Sequence, residues 1–134
     1  MKIELDNYTH GRNRIKSYSA GCVVISDKVF NSSIILSPDT IIDDRLPDNV
    51  TQLKLDDLDQ IIGLDPEVVL LGTGAALHFP EQAISAFFYA QKVGFEVMDT
   101  GAACRVYNIL MTEDRRVVAA LFMIETLAAC LNSH

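Results

Sequence analysis

Residues 67–124 read EVVLLGTGAALHFPEQAISAFFYAQKVGFEVMDTGAACRVYNILMTEDRRVVAALFMI, and this stretch decides the fold. The apolar run 68–71 ends in Gly72-Thr73-Gly74, as a strand buried on both faces of a parallel sheet does. Pro80 suits the first turn of a helix. Ala83, Ile84, Phe87 and Phe88 then recur at i, i+3, i+4 spacing, and Gly94 is expected to stop that helix. Residues 95–98 form a second strand. Asp99-Thr100-Gly101 opens a second helix, with Thr100 as its natural N-cap and Ala103, Val106, Tyr107, Leu110 and Met111 on one face. Residues 115–124 make a third strand that contains eight near-continuous apolar positions. Strand, helix, strand, helix, strand with loops this short predicts right-handed parallel crossovers. The chain is therefore expected to be α/β, with a parallel βαβαβ core over 67–125.

Working outward, residues 14–37 are expected to form an antiparallel meander. RIKSYSAG and CVVI lead into Ser26-Asp27-Lys28 as a tight turn, followed by VFNSSIIL, and Ser37-Pro38-Asp39 ends the run because proline cannot donate in a ladder. The meander would extend or cover one side of the parallel sheet. Residues 39–67 connect the two parts. In that segment LDDLDQIIG reads as a short helix with Leu55, Leu58, Ile61 and Ile62 on one side and Gly63 at its end. No repeat, linker or low-complexity tract divides the chain, so its 134 residues are expected to form a single domain, 1–134.

Composition narrows the function classes. Hydrophobic residues make up 49% and charged ones 22%, which is ordinary for a globular protein. No apolar run approaches the ~18 residues of a membrane-spanning helix. The opening MKIELDNYTHGRNR has no apolar signal core, and Glu4 and Asp6 argue against a transit peptide, so a cytoplasmic location is expected. The cysteines Cys22, Cys104 and Cys130 contain no CxxC pair, and His10, His78 and His134 do not group with them at ligand spacing. That pattern points to reduced thiols and no metal site, and nothing in the sequence calls for a cofactor. The net charge of −7 lies entirely in residues 39–67, where Asp39, Asp43, Asp44, Asp48, Asp56, Asp57, Asp59, Asp65 and Glu67 face only Arg45 and Lys54. Such a flank disfavours nucleic acid. It either docks a basic protein partner or serves as a solvated face.

In an open parallel sheet, ligands sit beyond the carboxyl ends of the strands. Here that place is framed by two loops, Gly72–Gly74 with His78 and Thr100–Arg105. The glycines do not make a dinucleotide fingerprint or a phosphate loop, because Leu77 stands at the third glycine position and no Lys-Ser/Thr follows. They permit either a plain sharp turn or a ligand cradle. Cys104 lies near the start of the second helix beside Arg105. That setting lowers a thiol's pKa, although a packed core cysteine is the alternative. The candidate cleft thus comprises Gly72, Thr73, Gly74, His78, Thr100, Cys104 and Arg105, with no catalytic residue assigned.

GTGAALHFP, GFEVMDTGAACRVYN and EDRRVVAAL together resemble a small α/β family known mainly as a domain of unknown function. The family includes the mitochondrial respiratory complex I assembly factor numbered three and an adipogenesis-associated human protein. RIKSYSAGCVVISDKVFNSSIILSP resembles the family's opening meander, so the likeness runs from about residue 14 to 124. Two departures are Val106, where many relatives have threonine, and Asp114, where glycine is frequent. The resemblance implies a three-layer β/β/α-like fold and, for one branch, a role in assembling a membrane respiratory complex, but no reaction. The reading favoured from sequence is a non-enzymatic interaction or assembly-factor-like domain. The alternative is a small-molecule-binding protein or enzyme using the cleft between the two loops.

Overall fold

A computed structural model of the protein describes residues 12–125. His10, Cys130, His134 and residues 1–11 of the opening read for targeting signals lie outside the described residues. Three short strands, β1 (Ile15–Ser19), β2 (Cys22–Ile25) and β3 (Lys28–Phe30), form an antiparallel sheet in that order. A second sheet has five strands in the order β5-β4-β8-β6-β7: β4 (Ile34–Leu36), β5 (Ile41–Ile42), β6 (Val68–Thr73), β7 (Gly94–Met98) and β8 (Val117–Phe122). The helices are α1 (Asp59–Ile62), α2 (Gln82–Ala90) and α3 (Thr100–Thr112). The parallel core β6-α2-β7-α3-β8 is present as expected, with β6 paired in parallel to both β7 and β8.

The alternation of side chains along β6 and β8 explains the layering. Val117, Ala119, Leu121 and Leu70 pack with Ala103, Cys104, Tyr107 and Met111 of α3. Val118, Ala120, Phe122, Val69 and Leu71 pack instead with Ile84 and Phe88 of α2. Every residue of β8 is buried, so its run is continuously apolar although each face receives alternate residues. The step from β6 to β7 and the return past β6 to β8 run in opposite directions across the sheet. Right-handed crossovers then require the two helices on opposite faces, which is where they lie. The small sheet shares the α3 face through Ile15, Val23 and Ile25. The resulting layers are α2, the five-stranded sheet, and α3 with the small sheet beside it.

The structure revises several local expectations. VFNSSIIL is two strands, because the chain leaves the small sheet at Asn31-Ser32 and β4 pairs antiparallel with β8 in the main sheet. Ser37-Pro38-Asp39 does not end the strands. Ser37 Oγ accepts from the N–H groups of Asp39 and Thr40, which folds a turn that brings β5 back on β4. LDDLDQIIG is a 3-10 turn, Leu55–Leu58, running into α1, with Gly63 as cap. Leu58 and Ile61 are buried, but Leu55 is exposed. On α2, Ala83 is likewise exposed, and Ile84 and Phe88 carry the burial. The helix is turned off by Lys92 at φ 60°, and Gly94 is the first residue of β7. Phe88 stacks on Phe95 of that strand, with ring centroids 4.7 Å apart.

The small sheet is held to α3 by polar side chains. Asn108 accepts from the Ile15 N–H (3.0 Å) and donates to the Ile15 carbonyl (2.7 Å), completing the edge of β1 where its pairing with β2 shifts register. Tyr107 donates to the Asn13 carbonyl at 2.6 Å, and burial pushes its phenol well above the usual range. After α3 the chain turns at Asp114 with φ 62°, the left-handed region that favours glycine. Asp114 also pairs with Arg12 at 3.0 Å. At the opposite end of β8, the Gly21 N–H donates to the Ile124 carbonyl at 2.7 Å.

Asn108→Ala leaves both backbone groups of Ile15 without a side-chain partner. It is expected to lower unfolding free energy by about 1–3 kcal/mol in urea titration. A variant as stable as the parent would show that water replaces both bonds without cost.

Candidate functional site

The carboxyl ends of β6, β7 and β8 meet at one hydroxyl. Thr100 is fully buried, at 0% exposure. Its Oγ1 donates to the Phe122 carbonyl at 2.5 Å and accepts from the Gly74 N–H at 2.8 Å. Its own N–H donates to the Gly74 carbonyl at 2.9 Å. Thr100 is therefore not the N-cap. Asp99 is, accepting from the Ala102 N–H at 2.9 Å. A carboxylate at the cap completes an orphan N–H and meets the positive end of the helix, which frees the next residue's hydroxyl to turn toward the strand ends.

The glycines serve this closure. A Cβ at Gly72 would lie 3.0 Å from Thr100 Oγ1, 3.0 Å from Leu121 and 3.1 Å from Ala103. The amino end of α3 thus rests closely on β6, and a methyl group between them would require its neighbours to give by a few tenths of an ångström. Gly74 has φ 104°, and a Cβ there would stand 2.5 Å from a carboxylate oxygen of Glu125, which accepts from the Ala75 N–H at 3.2 Å. Thr73 is also committed: its hydroxyl donates to the Ala76 carbonyl (2.7 Å) and accepts from the His78 N–H (3.1 Å).

The remaining predicted residues are spread among three environments. Thr73 and the exposed His78 line a depression of about 110 Å³ with Asp48, Asn49, Met123 and Glu125. Cys104 is 1% exposed and packs in the core between α3 and the two sheets. Burial pushes its thiol up to about 12, against a smaller opposing influence of Arg105. The helix-end environment read from the sequence is thus outweighed by desolvation. Arg105 is exposed and reaches to the small sheet, where it donates to the Tyr18 hydroxyl. The ring of Tyr18 lies against Gly101, whose absent Cβ would be 3.0 Å from it.

The reading from sequence missed Asp99, Asn108, Tyr18 and Glu125. Asn108 carried a signal, since asparagine inside an otherwise apolar helix face is a poor helix former and implies a hydrogen-bonding task. Tyr18 and Glu125 carried none, because their partners lie 87 and 50 positions away.

In the acidic segment, two carboxylates have structural work. Asp57 accepts from the Lys54 N–H at 2.9 Å. Glu67 accepts from the Arg116 N–H (3.0 Å) and Arg115 Nε (2.9 Å), which hold its carboxyl below the usual glutamate range. Asp65 lies 3.7 Å from Arg116, and Asp44 lies 3.6 Å from Arg45. Among the described residues, Asp43, Asp48, Asp56 and Asp59 are exposed and have no ion pair. Beside Asp56, a groove of about 310 Å³ opens between Leu53, Leu55 and the first turn of α2, with Ile84 in its lining and Glu81 as a second acid.

Residues 15–122 match the sequence model of a family described as protein of unknown function, DUF498/DUF598. The chain is 29% identical over 104 residues to the 13 kDa major membrane protein of Francisella tularensis, covering 76% of this chain and 84% of that one. It is 30% identical over 110 residues to NADH dehydrogenase (ubiquinone) 1 alpha subcomplex assembly factor 3 of Xenopus tropicalis. That match covers 80% of this chain but spans only 59% of the assembly factor. A solution structure from Bordetella pertussis, described as an Mth938-like domain, superposes with a TM-score of 0.74 at 28% identity, covering 91% of each chain. Among the described residues, no helix is long and apolar enough to cross a membrane.

Iodoacetamide at pH 8 is expected to modify the half-buried Cys22 of the native protein and to leave Cys104 unmodified until denaturant is added, as mapped by peptide mass spectrometry. Modification of native Cys104 ahead of Cys22 would restore the nucleophile reading.

Proposed function

The chain belongs to the DUF498/DUF598 family, and from that premise we propose that it is a non-enzymatic, assembly-factor-like module that receives a basic segment of a partner protein on its acidic region, residues 39–67. One observation carries the reading: exposed carboxylates without ion pairs lie in a segment that also borders a groove lined by both apolar and charged side chains. Asp56 and Glu81 line that groove together with Leu53, Leu55 and Ile84, and Lys54 lines it too. The exposed Leu55, set between Lys54 and Asp56, suits a partner that brings both apolar and cationic side chains.

The family supports the same reading. One relative, the Xenopus protein, is named an assembly factor, and bringing proteins together needs surfaces rather than a reactive centre. The small-molecule alternative draws less support, because the hydroxyls of Thr73 and Thr100 are committed to backbone groups and the Cys104 thiol is protonated at neutral pH. A cytoplasmic location accompanies the proposal. The Francisella relative's designation as a membrane protein fits a partner that is itself held at a membrane.

The test is native mass spectrometry of the tagged protein drawn gently from its source cells, beside a variant carrying Asp56→Lys and Asp59→Lys. Asp57 is left unchanged because its carboxylate caps the 3-10 turn. The expected result is a stoichiometric protein companion, released by added salt and absent from the charge-reversed variant. A companion retained at equal stoichiometry by the variant, or a small-molecule adduct in its place, would overturn the proposal.

A further inference from the structure

β7 is the outer strand of the main sheet, and no described strand pairs with its free side. Its backbone direction follows from one hydrogen bond. The Gly94 N–H donates to the Glu67 carbonyl at 3.1 Å, so in a parallel ladder the intervening residues Phe95 and Val97 turn their N–H and C=O groups away from β6. Those groups form an open edge of the kind that pairs with another chain.

The side chains beside this edge are sorted by face. Phe95 and Val97 lie on the α2 side, where they border a groove of about 510 Å³ with Phe79, Tyr89 and Val93. Phe79 is 77% exposed and Tyr89 is 86% exposed, an unusual display of two large aromatic rings beside an unpaired edge. Alternation directs the Glu96 side chain toward the Met98 face, and Glu96 also borders the groove along the strand edge. Glu96 is exposed and has no ion pair among the described residues.

We propose that β7 is a docking edge for an extended segment of a partner protein that adds as a strand. Its alternate apolar side chains enter the groove between Phe79 and Tyr89, and its intervening basic side chains meet Glu96. Main-chain bonds to Phe95 and Val97 supply register, and the two faces supply the pattern, apolar on one and cationic on the other. Charge selects this occupant over a second copy. A two-fold pairing that satisfies the outward groups of both Phe95 and Val97 sets Glu96 opposite Glu96, a like-charge pair. The edge is a separate surface from the groove at Asp56, so each is testable without the other.

Binding of two fluorescein-labelled peptides of identical composition, alternating KVKIKVK and block-ordered KKKKVVI, separates strand addition from plain charge attraction. Residue-resolved amide exchange by NMR is recorded in the same samples. The alternating peptide is expected to bind at least tenfold more tightly than its block isomer and to slow exchange of the Phe95 and Val97 amides at least tenfold. Glu96→Lys is expected to weaken it at least fivefold. Val97→Pro, which removes an outward N–H and no bond to β6, is expected to weaken it at least tenfold. Asp56→Lys is expected to change it less than twofold. Equal binding of the two peptides, unslowed Phe95 and Val97 amides, or a dimer that protects these amides without peptide would each overturn the proposal. If Val97→Pro does not fold, the exchange data and Glu96→Lys decide alone.

Discussion

The threonine hydroxyl at the start of α3 is the point on which the arrangement turns. A parallel strand order that steps out to β7 and back past β6 to β8 leaves three strand ends and a helix terminus in one place, all with backbone groups to satisfy. Thr100 joins them with one hydroxyl, by donating to the end of β8 and accepting from the turn after β6. Gly72 suits the contact because a side chain there would press on Thr100, Leu121 and Ala103. Asp99 takes over the capping task that Thr100 would otherwise perform. The glycine-rich turn after β6 and the threonine at the start of α3 thus take part in closing the sheet.

That closure has consequences for function. With the strand ends bonded to one another and Cys104 enclosed, the distinctive exposed chemistry lies on surfaces: acids near the 3-10 turn, and aromatic rings beside an open strand edge. Both border α2, whose buried side is held by Ile84 and Phe88 while Ser85 and Tyr89 face outward. The opposite side of the sheet is occupied by α3 and the small sheet, held together by Asn108, Tyr107 and the contact of Tyr18 with Gly101. The α3 face thus carries contacts that hold the two sheets together, whereas Phe79 and Tyr89 are exposed beside α2.

The parallel core was legible because its signals are local: apolar runs of strand length alternate with i, i+3, i+4 spacing, and glycines mark the turns. Signals of longer range were not legible. Nothing in VFNSSIIL announces that its second half joins another sheet, since that depends on the free edge of β8 more than 80 residues later. The sequence leaves Cys104 between a helix-start thiol and a packed core cysteine for a related reason. Position near a helix start is a local property, whereas burial is set by Ile15, Val23 and Ile25, which arrive from the other end of the chain. Gly94 was read as a helix stop although Lys92 performs that turn, because a positive φ at a lysine leaves no mark in the sequence. The acidic segment was legible as charge, but the structure was needed to separate the carboxylates engaged in caps and ion pairs from those that are not.

The most direct measurement is the unfolding free energy of Thr100→Val and Thr100→Ser beside the parent, with hydrogen exchange at the Gly74 amide recorded on the same samples. Valine keeps the shape and removes the hydroxyl, leaving the Gly74 N–H and the Phe122 carbonyl without that partner. A loss of about 1–3 kcal/mol with faster Gly74 exchange is predicted for valine, and most of the parent's stability for serine. A valine variant as stable as the parent, with Gly74 still protected, would contradict the assignment of this motif to closure of the fold and return it to consideration as a ligand site.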